Sequence, residues 1–269
     1  MEQERILPTH IISGTTFIID VQNEQLRELG RPDNIISFNE MAYSRSGYRF
    51  DFNKELKNIP VSFVNGYETI HLPNMTELDP LGMAQKYGIS EIEIIRKKDV
   101  DIMVDQQQLA QRERGQLPVI EIKGHLFYVD LVMDSLRPKD DFATAGIRFN
   151  DIDDYFLESS NHYRIPYNPA THSFEDLDYE NIKAIPKGII IVDIPWQQHL
   201  DPIAYARIHG FDKDQILRES PIQLHMKAHE ASWDDTPIKQ IIAKNLKRDL
   251  GSEQEQSPDK PQRKRGRGL

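Results

Sequence analysis

Cysteine is missing from all 269 residues of the chain. Its absence excludes disulfides, thiolate zinc sites and thiol catalysis at once. Long apolar runs are missing too: none approaches the ~20 residues that a helix needs to cross a bilayer. The N-terminus, MEQERILPTH, carries acids where a secretory leader needs a basic start and an apolar stretch. These lacks set the expectation of a soluble cytoplasmic protein with no membrane partner. There is no glycine-rich phosphate loop and no nucleophile elbow, so no cofactor is expected. Positive charge is in short supply. Lys and Arg number 33 against 43 Asp and Glu, for a net charge of −10. Such a surface is repelled by nucleic acid and by anionic lipid. The apolar share, 38%, is enough for a packed core. The length suits one large domain or two small ones.

What is present is a repeat. The run GTTFIIDVQNEQLRE from Gly14 returns as GHLFYVDLVMDSLRP from Gly124 at a constant offset of 110 residues. Gly14 answers Gly124, Phe17 answers Phe127, Asp20 answers Asp130, Leu26 answers Leu136 and Arg27 answers Arg137. β-Branched and aromatic residues between Ile11 and Val21 predict a strand pair or one long strand. Turns are expected at Asn23-Glu24 and at Arg31-Pro32-Asp33-Asn34, then a short strand Ile35–Asn39 that is echoed by Gly146–Asn150. In Gly47–Asn53, Tyr48, Phe50 and Phe52 fall at every second position, the period of a half-buried strand. Its echo is Tyr163–Asn168, where Pro166 predicts an edge or a distorted strand. A β region from Pro60 to Leu72 has a stronger partner in Gly188–Ile194.

Both copies then reach the same helical phrase, Leu78-Asp79-Pro80 with Ala84 and Gly88, and Leu200-Asp201-Pro202 with Ala206 and Gly210, 122 residues apart. Asp before Pro starts a helix, since the carboxylate accepts from free first-turn amides and proline suits the first helical position. Gly88 and Gly210 stop it. Ser90 and Asp212 are expected to cap a second helix, carrying Ile94-Ile95 or Ile216-Leu217. Each copy ends in one more helix. Asp105 caps the first, which Gly115 closes; Thr236-Pro237 opens the second, with Ile238, Ile241, Ile242 and Leu246 on one face and Gly251 as its end. The expectation is an α+β protein: a tandem duplication of a small, mostly antiparallel sheet followed by a helix pair and a terminal helix. The repeat units are residues 8–115 and 116–250. Residues 251–269 form a basic tail whose composition predicts disorder.

Several constellations bear on chemistry. Asp20 with Arg27 and Asp130 with Arg137 occur in both copies, and are read as ion pairs or turn caps that fix the sheet rather than as twin ligand sites. Ala84, Gly88 and Ile94, like Ala206, Gly210 and Ile216, have the spacing of a helix-turn-helix corner. The second helices, SEIEIIRKK and DKDQILRES, place acids where DNA phosphates would sit; Arg96 and Arg218 are their candidate contacts. Glu121 and Lys123 share one strand face, and with Asp101 or Asp105 upstream the pattern resembles metal-dependent nucleases of the PD-(D/E)xK type. That resemblance implies Mg²⁺ held by the carboxylates and water oriented by Lys123. His225 and His229, four apart, would share a helix face and could hold a metal. Asp151, Asp153 and Asp154 lack the glycine and spaced oxygens of a calcium loop and read as a polar loop.

The tail holds Lys260, Arg263, Lys264, Arg265 and Arg267 with no acid after Lys260. A basic arm on an acidic body can touch phosphates. The ending RKRGRGL is similar to tails of uncharacterised accessory proteins of bacterial mobile elements. The resemblance implies a bacterial accessory role beside mobile-element DNA. Together these features point to a non-enzymatic interaction protein with a protein partner and nucleic-acid contact through the tail. Two other readings stay open: a DNA-binding regulator using the helical corners, and a nuclease centred on Glu121 and Lys123.

Overall fold

The computed structural model describes residues 5–61, 66–141 and 144–255. Its architecture is α+β, with several antiparallel sheets and short helices. In the first copy, β1 (Thr9–Ile12) and β2 (Thr15–Asp20) are joined by Ser13 and Gly14, both at positive φ (49° and 82°). That two-residue turn matches the right-handed twist of the strands it joins. β3 (Gln25–Glu28) and β4 (Arg31–Ser37) complete a four-stranded sheet of order β1-β2-β3-β4. A three-stranded sheet follows: β5 (Ala42–Ser44), β6 (Gly47–Asn53) and β7 (Tyr67–Leu72). Five helices close the copy: α1 (Met75–Leu78), α2 (Pro80–Tyr87), α3 (Glu91–Ile94), α4 (Asp99–Met103) and α5 (Gln106–Glu113).

The second copy repeats the plan. It has β8 (Val119–Ile122), β9 (His125–Asp130), β10 (Ser135–Pro138) and β11 (Ile147–Arg148), then α6 (Phe149–Ile152). β12 (Phe156–Leu157), β13 (His162–Asn168), β14 (Ser173–Phe174) and β15 (Ile190–Pro195) follow. The helices α7 (Gln197–Leu200), α8 (Pro202–His209) and α9 (Lys213–Glu219) precede β16 (His225–Lys227), β17 (His229–Ala231) and α10 (Ile238–Glu255). The likeness extends to single hydrogen bonds. Lys123 and Gly124 turn at φ 51° and 86°, as Ser13 and Gly14 do. The Ile19 amide donates to the Pro8 carbonyl and the Val129 amide to that of Pro118; the Phe38 amide donates to Glu24 and that of Phe149 to Asp134. Phe17 and Phe127 are both fully buried.

The chain divides into two compact units that do not follow the repeat boundaries. Unit 1 comprises residues 1–119, 129–133 and 197–226; unit 2 comprises 120–128, 134–196 and 227–269. The helical phrases of both copies, α1–α3 and α7–α9, therefore belong to unit 1. Its core joins Phe17, Leu26, Ile36, Tyr43, Tyr48 and Phe52 with Ile203, Leu217, Ile222 and Leu224 from the second copy. Beside that core, α1 and α4 cap each other. Asp99 accepts from the free amides of Met75 (2.9 Å) and Thr76 (2.8 Å) and from the Tyr48 hydroxyl (2.7 Å), while Asn74 Oδ1 accepts from the Asp99 amide (3.1 Å). Orphan first-turn amides are thus satisfied in a dry interior. Unit 2 keeps most of a sheet of order β11-β10-β9-β8-β16 and a second of order β12-β13-β15-β17, with β14 on β13. Its buried ring cluster includes Phe149 and Tyr163, 6.1 Å apart.

Local expectations are corrected in several places. Arg31–Asn34 is not a turn but the start of β4; the turn falls at Leu29-Gly30. β4 is an edge strand, where Pro32 needs no donor on its free side. The strand expected through Asn39 ends at Ser37, because Ser37 and Glu40 form a capping box that winds Phe38–Glu40 into a 3₁₀ turn. β13 is an interior strand despite Pro166. The Pro166 carbonyl accepts from the Glu175 amide. Its missing N–H therefore faces β14, just where the pairing of β14 runs out, and the ladder to β15 stays whole. Of the β region expected from Pro60 to Leu72, Tyr67–Leu72 forms β7, and residues 62–65 lie outside the described residues. α10 runs past Gly251 to Glu255, and Leu246 is exposed while its neighbour Asn245 is buried.

Candidate functional site

In α6, Phe149 and Ile152 are buried, which turns Asp151 outward on the opposite side of the single turn. The chain continues as a 3₁₀ turn over Asp153–Tyr155, so the three aspartates expected in a polar loop are held on helical backbone instead. Asp151, Asp154 and Tyr155, with Phe174 of β14 and Asp176 and Tyr179 beyond it, line a cavity of about 690 Å³ within unit 2. The rings of Tyr155 and Phe174 meet edge to face at 5.2 Å, a favoured aromatic geometry. The Tyr155 and Tyr179 phenols are close neighbours. Burial pushes both phenols up, and for Tyr155 the neighbouring Tyr179, Asp176 and Asp154 add to it. Both stay protonated at neutral pH. The backbone carbonyl of Tyr179 is held by Asn245 Nδ2 of α10 at 3.0 Å.

The floor continues into a second cavity of about 330 Å³ that shares Asp154, Tyr155 and Tyr179 and adds Leu157, Pro166, Ile191 and Ile241. Its one basic lining residue, Arg164, is neutralised by a two-pronged bond to Asp193, both contacts at 2.8 Å. Asp151, Asp154 and Asp176 have no ion pair among the described residues. Three uncommitted carboxylates beside aromatic faces attract a cation, by charge and by the negative face of each ring.

Elsewhere the expected site residues are engaged in structure. Asp20 accepts from the Asn23 amide (3.2 Å), Asn23 Nδ2 (2.9 Å) and Gln25 Nε2 (3.3 Å), with Arg27 at 3.6 Å. Burial opposes its charge, but these partners hold the carboxyl below the ordinary range. Asp130 accepts from the Met133 amide at 3.1 Å in the same turn, and Arg137 is not without an interaction of its own. Asp79 and Asp201 cap α2 and α8 through the amides of Gly82 and Ala204. Each cap is clamped by an arginine from just before a copy's first strand: Arg5 on Asp79, and Arg112 on Asp201 at 2.8 Å. Gly88 and Gly210 end the helices in the left-handed conformation.

The helical corners do not present two reading helices. α3 stops after one turn at Ile94, and Arg96 is at φ 67°. In α9, Arg218 is buried over the Tyr48 ring at 5.3 Å and donates to Asn39. Each of the nuclease candidates has a structural partner of its own. Asp101 pairs with Arg45 and Asp105 caps α5, both in unit 1; Glu121 and Lys123, in unit 2, pair with Lys227 (2.9 Å) and Glu230 (2.5 Å). His225 and His229 lie on the successive strands β16 and β17, not one turn apart on a helix. Lys260, Arg263, Lys264, Arg265 and Arg267 lie outside the described residues.

One group escaped sequence reasoning. His125, His172 and Asp141 place one candidate ligand atom each within 4.8 Å of one another. The signal was a departure inside the repeat: His125 stands where the first copy has Thr15, and Asp141 where it has Arg31. What fold and site define is an α+β protein with a duplicated sheet plan and an acidic, tyrosine-lined cavity. No family model matches the chain, and neither a curated protein nor a solved structure matches it. Among the described residues no helix is long and apolar enough to cross a membrane.

Proposed function

We propose that this is a non-enzymatic interaction protein whose unit 2 takes a cationic segment of a partner protein into the Asp151–Asp154–Asp176 cavity. The observation that carries the reading is the lining: three carboxylates and three aromatic rings, with no basic group among the lining residues. A lysine or arginine side chain fits such a lining, its charge meeting the carboxylates while its alkyl stem lies along Tyr155 and Tyr179. The adjoining apolar floor of Leu157, Ile191 and Ile241 suits the residue next to it. A body this acidic also draws basic partners from a distance. Contact with mobile-element nucleic acid is assigned to the tail alone, from Lys260 onward, as a second and auxiliary interaction. That division rests on the engagement of Arg218 and the shortness of α3, which leave the helical corners poorly suited to DNA.

The test uses a fluorescently labelled arginine-rich peptide and the full chain, with affinity read by anisotropy. The triple variant Asp151→Asn, Asp154→Asn, Asp176→Asn is expected to bind at least tenfold more weakly. Neutralising three exposed acids that do not line the cavity, Asp33, Glu55 and Glu91, is expected to change affinity less than threefold. Equal losses in the two variants would mean that only diffuse charge attracts the peptide, and the cavity reading would be withdrawn.

A further inference from the structure

His125 opens β9 directly after the Lys123-Gly124 turn, and His172 sits in the tight connection between β13 and β14 at φ 55°. Their rings stack at 3.8 Å, 8° from parallel. His125 also meets Phe127 edge to face at 4.9 Å, which fixes one side of the ring. Its Nε2 is buried and has no hydrogen-bond partner. A buried imidazole nitrogen left unpaired costs free energy unless something binds it. Nδ1 of His172 lies 3.4 Å from the hydroxyl of buried Tyr167, leaving Nε2 for another ligand. Asp141 completes the group and is not without a partner of its own.

The first copy shows what this corner looks like when it is purely structural. Lys57 occupies the place of His172, 115 residues earlier, with the same positive φ (53°). The match is local as well: Asn53 and Asn168 each accept an amide two residues on, from Glu55 and from Ala170. Lys57 bonds Glu28 at 2.6 Å, and Asn34 donates to the same carboxylate at 3.0 Å. The corner is thus closed by an ion pair. In the second copy Pro138 stands in place of Glu28. The balancing carboxylate is gone, and two imidazoles and an aspartate have taken over the corner.

We infer that His125, His172 and Asp141 bind one divalent transition-metal ion, with zinc the best match to two imidazoles and one carboxylate. Two nitrogens and an oxygen suit zinc better than magnesium or calcium, which take oxygen ligands. Three protein ligands leave a fourth, tetrahedral position for water. Ligand atoms around zinc stand about 3.4 Å apart, given bonds of roughly 2.1 Å, and the three candidate atoms already lie within 4.8 Å of one another, so small side-chain shifts bring them onto one ion. The imidazoles must also swing out of their parallel stack, because ring nitrogens bind metals in the plane of the ring. Burial and the neighbouring His172 lower the pKa of His125, while Asp140 and Asp141 oppose them. The neutral ring is the form a metal requires.

The experiment takes the full chain, stripped of metal with a chelator and dialysed. It is titrated with Zn²⁺ alone in competition with a chromogenic zinc chelator, and separately with Co²⁺ for its visible spectrum. One zinc per chain is expected. The variants His125→Ala, His172→Ala and Asp141→Asn should each weaken binding at least tenfold while keeping the far-ultraviolet circular dichroism of the parent. Zn²⁺ should raise the melting temperature of the parent, and Mg²⁺ should not. For any variant that fails to fold, the cobalt spectrum of the parent decides: tetrahedral nitrogen-oxygen bands support the site, and their absence overturns it. The inference is also overturned if zinc uptake is unchanged in the His125→Ala, His172→Ala double variant, or is lost instead in His225→Ala, His229→Ala.

Discussion

Arg112 and Asp201 form a buried two-pronged ion pair, with side chains 8% and 0% exposed. The carboxylate does two jobs, since it also caps α8 through the Ala204 amide at 3.1 Å. Removing the arginine leaves a dry charge with one remaining amide donor, and breaking such a pair from one side costs about 3–5 kcal/mol. Arg112→Met is therefore expected to lower unfolding free energy by that amount in urea. The counterpart Arg5→Met removes a more exposed partner of Asp79 (20% exposed against 8%), and water can then solvate the carboxylate. It should cost clearly less than Arg112→Met. Equal costs would show that burial is not what sets the strength of the pair. The logic at Asp20 is the same on a smaller scale: its partners stand in one tight turn, so the side chain stabilises the hairpin and is not available for a ligand.

At the scale of elements, much of the chain's local grammar was readable where the signal and its partner lie within a few residues, though the Ser37–Glu40 capping box was missed. Asp79 and Asp201 cap the next helix, Gly88 and Gly210 end it, and Tyr48, Phe50 and Phe52 alternate into one buried face. Other misreadings arose where a distant neighbour decided the outcome. Pro166 sits inside a sheet because β14 happens to end beside it. His225 and His229 follow separate strands because β16 and β17 find different sheets, around β8 and β15. The His125 cluster was invisible for the same reason: its members come from the start of β9 and from two separate loops. The two helix-ending glycines offer a clean test of the local part. A Cβ added at Gly88 or Gly210 would meet nothing within 4 Å, so the left-handed backbone is the whole cost. Gly88→Ala and Gly210→Ala should each destabilise by about 1–2 kcal/mol, seen as parallel shifts of the urea midpoint at constant slope. A much larger loss at one of them would mean that the two corners are not built alike.

For the whole molecule, the duplication explains the parts and the compact units explain the packing, and the two do not coincide. The repeat predicts that residues 8–115 carry everything their fold requires. The core of unit 1 says otherwise. α9 of the second copy places Leu217 in it, and Ile222 and Leu224 follow. The polar ties run the same way. Gln215 accepts from the Tyr43 amide, the Leu224 amide donates to Gln108 at 2.7 Å, and the Val119 amide donates to the Leu224 carbonyl at 2.9 Å. Removing these residues would expose buried side chains of the first copy and leave Arg112 without Asp201. Each fully buried aliphatic side chain contributes roughly 1.5–3 kcal/mol, and four are lost, Ile203 included, against a net domain stability of about 5–15 kcal/mol. A fragment of residues 1–119 is therefore expected to lack cooperative urea unfolding and to show poor amide dispersion by NMR. Adding residues 197–226 as a separate peptide should restore dispersed signals, with Tyr43 and Tyr48 protected from exchange. A fragment of residues 1–119 that folds unaided would place the limits of independent folding at the sequence repeat, and the grouping of α7–α9 with the first copy would be incidental to stability.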